Sequence, residues 1–248
     1  MIKKYTQFIN EGRFYNDKLN PQCWDEDGNF NQRIKGKLLT IANDFFNSLE
    51  LEDAEIKDIV LTGSLSNYNY NKYSDFDIHI IIDFKEVDDN IELVTMAVDN
   101  KRIIWNIKHN ITIKGHDIEL YIQDISDKHT ASGVYSLMNN EWVKEPKHNT
   151  PEIDAQEVDD KTKNYQSLID KLDELSSDDN LSMEDLDTYF NYAKKLKEKI
   201  HSSRKEGLDT KNGEFSVENL VFKELRNSGH FGKLIDLINL LYDKQFIQ

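Results

Sequence analysis

Between Asn31 and Leu49 the apolar residues Ile34, Leu38, Leu39, Ile41, Ala42, Phe45 and Phe46 recur at short helical steps, with polar residues between them. That spacing predicts an amphipathic helix with one buried stripe. Two later runs have a different character. IKDIVLT (56–62) and FDIHIIID (76–83) are short and β-branched, and the second alternates before it becomes continuously apolar. Both predict strands. Residues 88–108 predict a helix that buries Ile91, Val94, Val98, Ile103, Ile104 and Ile107, with IIWNI also open to an extended reading. IKGHDIELYIQD (113–124) alternates cleanly and predicts a third strand, with Asp117, Glu119 and Tyr121 on one face and Ile118, Leu120 and Ile122 on the other. GVYSL and EWVKEP, around a turn at Met138 to Asn140, predict a small extended element.

A change of pattern follows. Pro146 and Pro151 punctuate the polar stretch around KHNTPEIDAQEVDD, where a domain boundary is expected. Beyond it every pattern is helical: YQSLIDKLDEL, then DLDTYFNYAKKLKEKIHSSRKEGL with Gly207 as a natural stop, SVENLVFKELRNSG, and FGKLIDLINLLYDKQF. The first thirty residues lack sustained periodicity apart from a short amphipathic piece near Tyr5, Phe8 and Ile9. The expected organisation is an N-terminal arm (1–30), an α/β domain (31–150) and a helical domain (151–248). The fold class is α+β, a mixed sheet flanked by helices and followed by the helical domain.

Composition narrows the functions. The chain has 248 residues, 38% of them hydrophobic and 31% charged, with 12 Phe, 11 Tyr and 3 Trp, which suits a globular protein with a very polar surface. A net charge of −15 argues against an extended, nonspecific nucleic-acid surface, although a nucleotide bound through a divalent ion remains compatible with it. One cysteine, Cys23, can form no internal disulfide and sits in no metal-ligand spacing, so a buried or idle thiol in a reducing compartment is expected. No apolar run suggests a membrane span or a secretory leader, and a cytoplasmic location is expected.

Candidate chemistry concentrates in LTGSLSNYNYNKYSDFDIHIII (61–82). Asp75 and Asp77 lie two apart on a strand and so share a face, about 7 Å apart. Hard oxygen donors at that separation suit divalent ions, and such ions can align an attacking hydroxyl with a phosphorus. The chemistry needs a third carboxylate, and Asp117 or Glu119 offers one if their strand pairs beside that of Asp75. Gly63 lets the backbone turn and approach a phosphate, while Ser64 adds a hydroxyl and an N–H as donors.

In these residues the chain resembles the DNA polymerase β-like nucleotidyltransferase superfamily. Its pattern is a strand, Gly-Ser, a spacer, and Asp-x-Asp entering an apolar strand, matched here by GS at 63–64 and SDFDIHI at 74–80. The resemblance covers residues 57–83 well and extends weakly to 123. It implies that Asp75 and Asp77 bind Mg²⁺ or Mn²⁺, and that an NTP supplies an NMP group to a hydroxyl with release of pyrophosphate. It implies a third acid, placed at Glu119 with Asp117 as rival; the family more often uses aspartate there. The acceptor is expected to be a small molecule, a protein or a tRNA end. A member that binds nucleotide or a host component without catalysis is the alternative.

Other side chains are weaker candidates. Tyr68, Tyr70 and Tyr73 in the spacer suit base stacking or plain packing, and His79 shares the carboxylate face by parity. Lys194, Lys195, Lys197, Lys199 and Arg204 form the concentrated basic run, with Lys195 and Arg204 as candidate nucleotide contacts and a solvated helix face as the simpler reading. Arg226 has the same status. The start MIKKYTQFINEGRF resembles that of several proteins of large tailed bacteriophages, including internal head proteins whose leader is cut after a Glu, here Glu11. That resemblance implies a phage protein in the host cytoplasm, with packaging into the virion as a further reading.

Overall fold

A computed structural model describes residues 13–51, 53–148, 151–178 and 181–247. The chain divides into two compact units, Met1–Thr150 and Pro151–Gln248. The expectation of a capsid leader cut at Glu11 lies outside the described residues.

In the first unit, helix α1 (Gln32–Ser48) starts where the Asn31 side chain accepts from the N–H groups of Arg33 and Ile34, satisfying donors the first turn leaves open. Strands β1 (Asp58–Thr62) and β2 (Phe76–Ile82) follow, then helix α2 (Ile91–Lys108), strands β3 (Thr112–Ile113) and β4 (His116–Asp124), and the hairpin β5 (Val134–Ser136) and β6 (Glu141–Lys144). They form one six-stranded mixed sheet in the order β3-β4-β2-β1-β5-β6, in which β2 and β4 run parallel and the other pairs antiparallel. A parallel pair needs a long crossover, and α2 with β3 supplies it.

One face of the sheet carries the core. Ile59, Leu61, Phe76, Ile78, Ile80, Ile82, Ile118, Leu120 and Ile122 pack with Leu38, Ala42 and Phe45 of α1 and Val94 and Val98 of α2. The opposite face is half-buried and largely polar, apart from a small patch of Val60, Ile81 and Val134. That patch explains why β2 turns continuously apolar after Ile80: there it is covered on both sides.

Four local expectations change. Residues 13–30 are no detached arm: Phe14, Tyr15, Cys23, Trp24 and Phe30 are buried, and Trp24, which stacks on Trp142 and bridges to Phe30, donates its indole N–H to the Leu65 carbonyl at 2.9 Å. Burial also pushes the Cys23 thiol up to about 12. The 113–124 run is a hairpin rather than one strand, because Lys114 (φ 56°) and Gly115 (φ 84°) form the left-handed pair that two-residue hairpins favour. Residues 103–107 are helical, yet Ile103, Ile104 and Ile107 are exposed, and only Val94 and Val98 among the expected set are fully buried.

The second unit consists of α3 (Ala155–Ser176), α4 (Met183–Leu208), α5 (Val217–Asn227) and α6 (His230–Ile247). Their buried stripes include Val158, Ile169 and Leu172; Leu186, Ala193, Leu196 and Ile200; Leu220, Phe222 and Leu225; and Leu234, Leu237 and Leu241. The fourth change lies here: α3 begins ten residues before the Tyr165 of the expected helix, under an Asp154 cap, because the inward positions there are only Val158 and Thr162. Among the described residues no helix is long and apolar enough to cross a membrane.

Candidate functional site

The candidate site forms where β1 ends beside the start of β2. In the antiparallel register Thr62 faces Asp77, so Gly63, the next residue, turns out of the sheet alongside the Asp77 side chain. Gly63 has φ 73° and ψ −156°, a combination almost confined to glycine, and leads into the 3-10 turn Ser64–Ser66. A Cβ on Gly63 would lie 1.8 Å from Asp77 Oδ2. The absence of a side chain is what gives the carboxylate its place.

On its other side β2 meets β4 in parallel register, with Asp77 opposite Glu119 and His79 opposite Tyr121. Asp77, His79, Glu119, Tyr121 and Gln123 therefore share the half-buried face, as strand alternation predicts. Of the two rivals for third acid, half-buried Glu119 faces Asp77, whereas Asp117, two residues earlier on the same face, is exposed and its backbone is in register with Thr112 of β3. Asp75 precedes β2 and is half-buried.

The Tyr121 hydroxyl donates to Glu119 Oε2 at 2.5 Å. Burial, the hydrogen bond to Glu119 and the charges of Glu119 and Asp77 all push the Tyr121 hydroxyl well above the usual phenol range, so it is a donor at every ordinary pH. Arg102 of α2 lies over its ring at 4.8 Å, and His79 stacks on it with centroids 4.7 Å apart. The His79 Nδ1–H donates to Gln123 Oε1 at 2.8 Å. Burial lowers the His79 pKa despite that hydrogen bond, with nearby His129 and Arg102 acting in the same direction as burial. His79 is thus packed between Tyr121 and Gln123, with its charged form disfavoured.

Ser64 has a partner of its own. Its hydroxyl donates to Ser74 Oγ at 2.7 Å, and Ser74 Oγ also accepts from the Asn71 N–H at 2.9 Å. The Ser74 carbonyl accepts from buried His116 Nδ1 at 2.6 Å, which leaves Nε2 to face Asn20 Nδ2 at 3.4 Å. Ser74, the residue just before Asp75, therefore ties the Gly-Ser turn to the segment that leads into β2. Asn16 holds the spacer from outside, its N–H and Nδ2 reaching the Tyr68 carbonyl at 2.7 and 3.2 Å and its Nδ2 reaching the Tyr70 carbonyl at 2.8 Å. Tyr68 packs edge-on to His148 and Tyr70 packs against the core, while Tyr73 stays half-exposed.

Asp77 and Glu119 are hard oxygen donors in register on one face, which suits Mg²⁺ or Mn²⁺. The expected three-carboxylate cluster is not gathered, however: among the described residues no three His, Cys, Asp or Glu groups are placed to hold a metal ion. The contacts give the reason, since Glu119 is engaged by Tyr121 and Asp77 leans over Gly63.

Lys195 and Arg204 belong to the second unit. Lys195 is exposed on α4, and Arg204 packs within its own unit, its Nε donating to Asn219 Oδ1 at 3.2 Å and its guanidinium lying 4.2 Å over the Phe222 ring. Tyr121 was already on the carboxylate face by parity, but nothing local marked it as the partner of Glu119. Ser74, His116, Gln123 and Arg102 carried no sequence signal, because their roles arise from neighbouring strands or a helix. Compared with known protein families, with curated proteins and with solved structures, the chain finds no match.

Proposed function

We propose that the first unit performs nucleotidyl transfer, moving an NMP group from an NTP to a hydroxyl acceptor with release of pyrophosphate. The observation that carries this reading is the placement of Asp77 between Gly63 and Glu119, with the Gly-Ser turn and the Asp-x-Asp strand bridged by Ser74. Asp77 and Glu119, joined by Asp75, would hold Mg²⁺ or Mn²⁺, and joint ligation by all three requires their side chains to rearrange. Bound there, the ions would supply charge neutralisation for the phosphates.

The chain's own groups have separate parts. The space beside Gly63 is taken by the Asp77 carboxylate, so the Gly-Ser turn would meet a phosphate through the Ser64 N–H, while the Ser64 hydroxyl holds Ser74. Tyr121 donates to one oxygen of Glu119 and would restrain the carboxylate as it turns to the ions and the acceptor hydroxyl. The acceptor class is a small molecule, a protein or a tRNA end.

A second reading, nucleotide binding without transfer, draws on the ungathered carboxylates and the Tyr121 hydrogen bond on Glu119. One experiment separates the two. The full chain is incubated with each α-labelled NTP, Mg²⁺ or Mn²⁺ and a cell extract, and label transfer is followed beside calorimetry of NTP binding. Transfer that disappears in the Asp75→Ala/Asp77→Ala variant supports the first reading. Tight binding without label on any fraction supports the second, and binding of NTP and Mg²⁺ unchanged in the double variant would overturn both.

A further inference from the structure

Helix α2 has two apolar sides. Val94 and Val98 face the core, and Ile91 and Trp105 pack beside them. On the opposite side Leu93 (56% exposed), Met96 (59%), Ile104 (50%) and Ile107 (78%) form a stripe at helical spacing, joined by exposed Ala97 and Ile103. A contiguous apolar stripe of this kind marks an interaction surface, because isolated exposed residues need no partner but an aligned row excludes water only when covered.

The stripe has a centre. Asn100, exposed in the middle of the same face, is the midpoint between Leu93 and Ile107, between Met96 and Ile104, and between Ala97 and Ile103. The same midpoint relates Glu92 near the start of the helix to Lys108 at its end. Acids lie toward one end, with Asp88, Asp89 and Glu92, and Lys101, Arg102 and Lys108 lie toward the other.

We infer that α2 is a self-association surface whose occupant is a second copy of this chain, docked antiparallel across a two-fold axis at Asn100. In that register Leu93 meets the Ile107 of the other copy and Met96 meets its Ile104, so large side chains cover each other along the whole stripe. The acidic end of each helix comes level with the basic end of the other, and the two helix dipoles oppose. A parallel pairing would set like charge beside like charge. Asn100 would meet Asn100, and a carboxamide, with donors and an acceptor, is self-complementary across a two-fold axis. A polar residue inside an apolar seam also fixes register, since a shift would bury it against aliphatic groups.

The stripe from Leu93 to Ile107 spans ~21 Å at 1.5 Å per residue. Burial on the order of 1,000 Å² in total puts the pair at the small end of specific interfaces, so the dimer depends on concentration.

The test is sedimentation of the full chain over a wide concentration range, together with cysteine cross-linking. The expected results are a monomer–dimer equilibrium, abolished by Ile104→Glu/Ile107→Glu with an unchanged circular dichroism spectrum and Tm. Mild oxidation should cross-link Asn100→Cys. It should leave Leu93→Cys uncross-linked and cross-link the Leu93→Cys/Ile107→Cys double variant; Cys23, being buried, stays silent. Glu92→Lys should weaken association about fivefold, with recovery on adding Lys108→Glu. A chain monomeric at every concentration overturns the inference, as does cross-linking of Leu93→Cys alone, which reports parallel pairing. A fall in Tm for a monomeric Ile104→Glu/Ile107→Glu variant overturns it too, since the chain itself would then cover the face. Binding of the helix to anionic phospholipid vesicles without self-association would assign the stripe to a membrane surface and equally overturn it.

Discussion

Gly63 shows how one residue type can decide a site. Its φ of 73° with ψ −156° costs an L-residue about 1–3 kcal/mol, and any Cβ there would overlap the Asp77 carboxylate. Gly63→Ala is therefore expected to lower the unfolding free energy measured in urea by at least that amount while the fold persists, and to abolish NTP binding in calorimetry as Asp77 is displaced. Gly36→Ala is the internal comparison: Gly36 lies on the exposed side of α1 with nothing within 4 Å of a new Cβ, so helix propensity alone acts and stability should rise by about 1 kcal/mol. Tyr121→Phe isolates another term. The ring can keep its place between His79 and Arg102 while the donor to Glu119 is lost. Stability should fall by only about 1 kcal/mol. If Glu119 works as proposed, turnover should drop at least tenfold with NTP affinity little changed, measured as kcat against KM.

At the scale of elements, the second glycine with a fixed role is Gly207. The sequence suggests a helix stop there, and α4 ends one residue later at Leu208, with Gly207 buried in its last turn. A Cβ there would sit 2.6 Å from Ser216 Oγ and 2.9 Å from Glu218 Cβ, at the capped start of α5. Two effects oppose: alanine favours a helix interior by about 1 kcal/mol, and overpacking costs about 1–3 kcal/mol. Because the Ser216 side chain is committed to capping the Asn219 N–H, it cannot easily give way, and packing is expected to win. Gly207→Ala should thus lower the thermal midpoint of the helical unit, followed by circular dichroism. Helix α2 teaches a related lesson. Its period was legible, but which of its two apolar sides met the core was not, since Ile103, Ile104 and Ile107 are as apolar as Val94 and Val98.

For the molecule as a whole, charge gives the clearest expectation. A net charge of −15 repels phosphate backbones, and a small nucleotide escapes that repulsion only at a local donor site. Fluorescence anisotropy with duplex DNA at physiological salt should give no binding, in contrast to the NTP binding proposed for the first unit. The two units, Met1–Thr150 and Pro151–Gln248, each carry a core of their own. Strand alternation and helical period were enough to read the strands around the site, the four C-terminal helices apart from the start of α3, and the face that Glu119 shares with Tyr121, because each depends only on the geometry of a single element. Residues 13–30 were unreadable for the opposite reason. Trp24 and Phe30 join the core through contacts with Leu65, Tyr135 and Trp142, far along the chain.

The sequence by itself determined which residues could carry chemistry: Gly63 and Ser64, the aspartates at 75 and 77, and an acid on a later alternating strand. Those are properties of residue type and parity, and no fold can change them. Only the tertiary structure decided that Glu119 rather than Asp117 faces Asp77, that Ser64 is held by Ser74, that Tyr121 grips Glu119, and that the carboxylates are not gathered as a three-ligand cluster. Strand register and side-chain hydrogen bonding set those outcomes, and both depend on segments that meet only after the chain has folded.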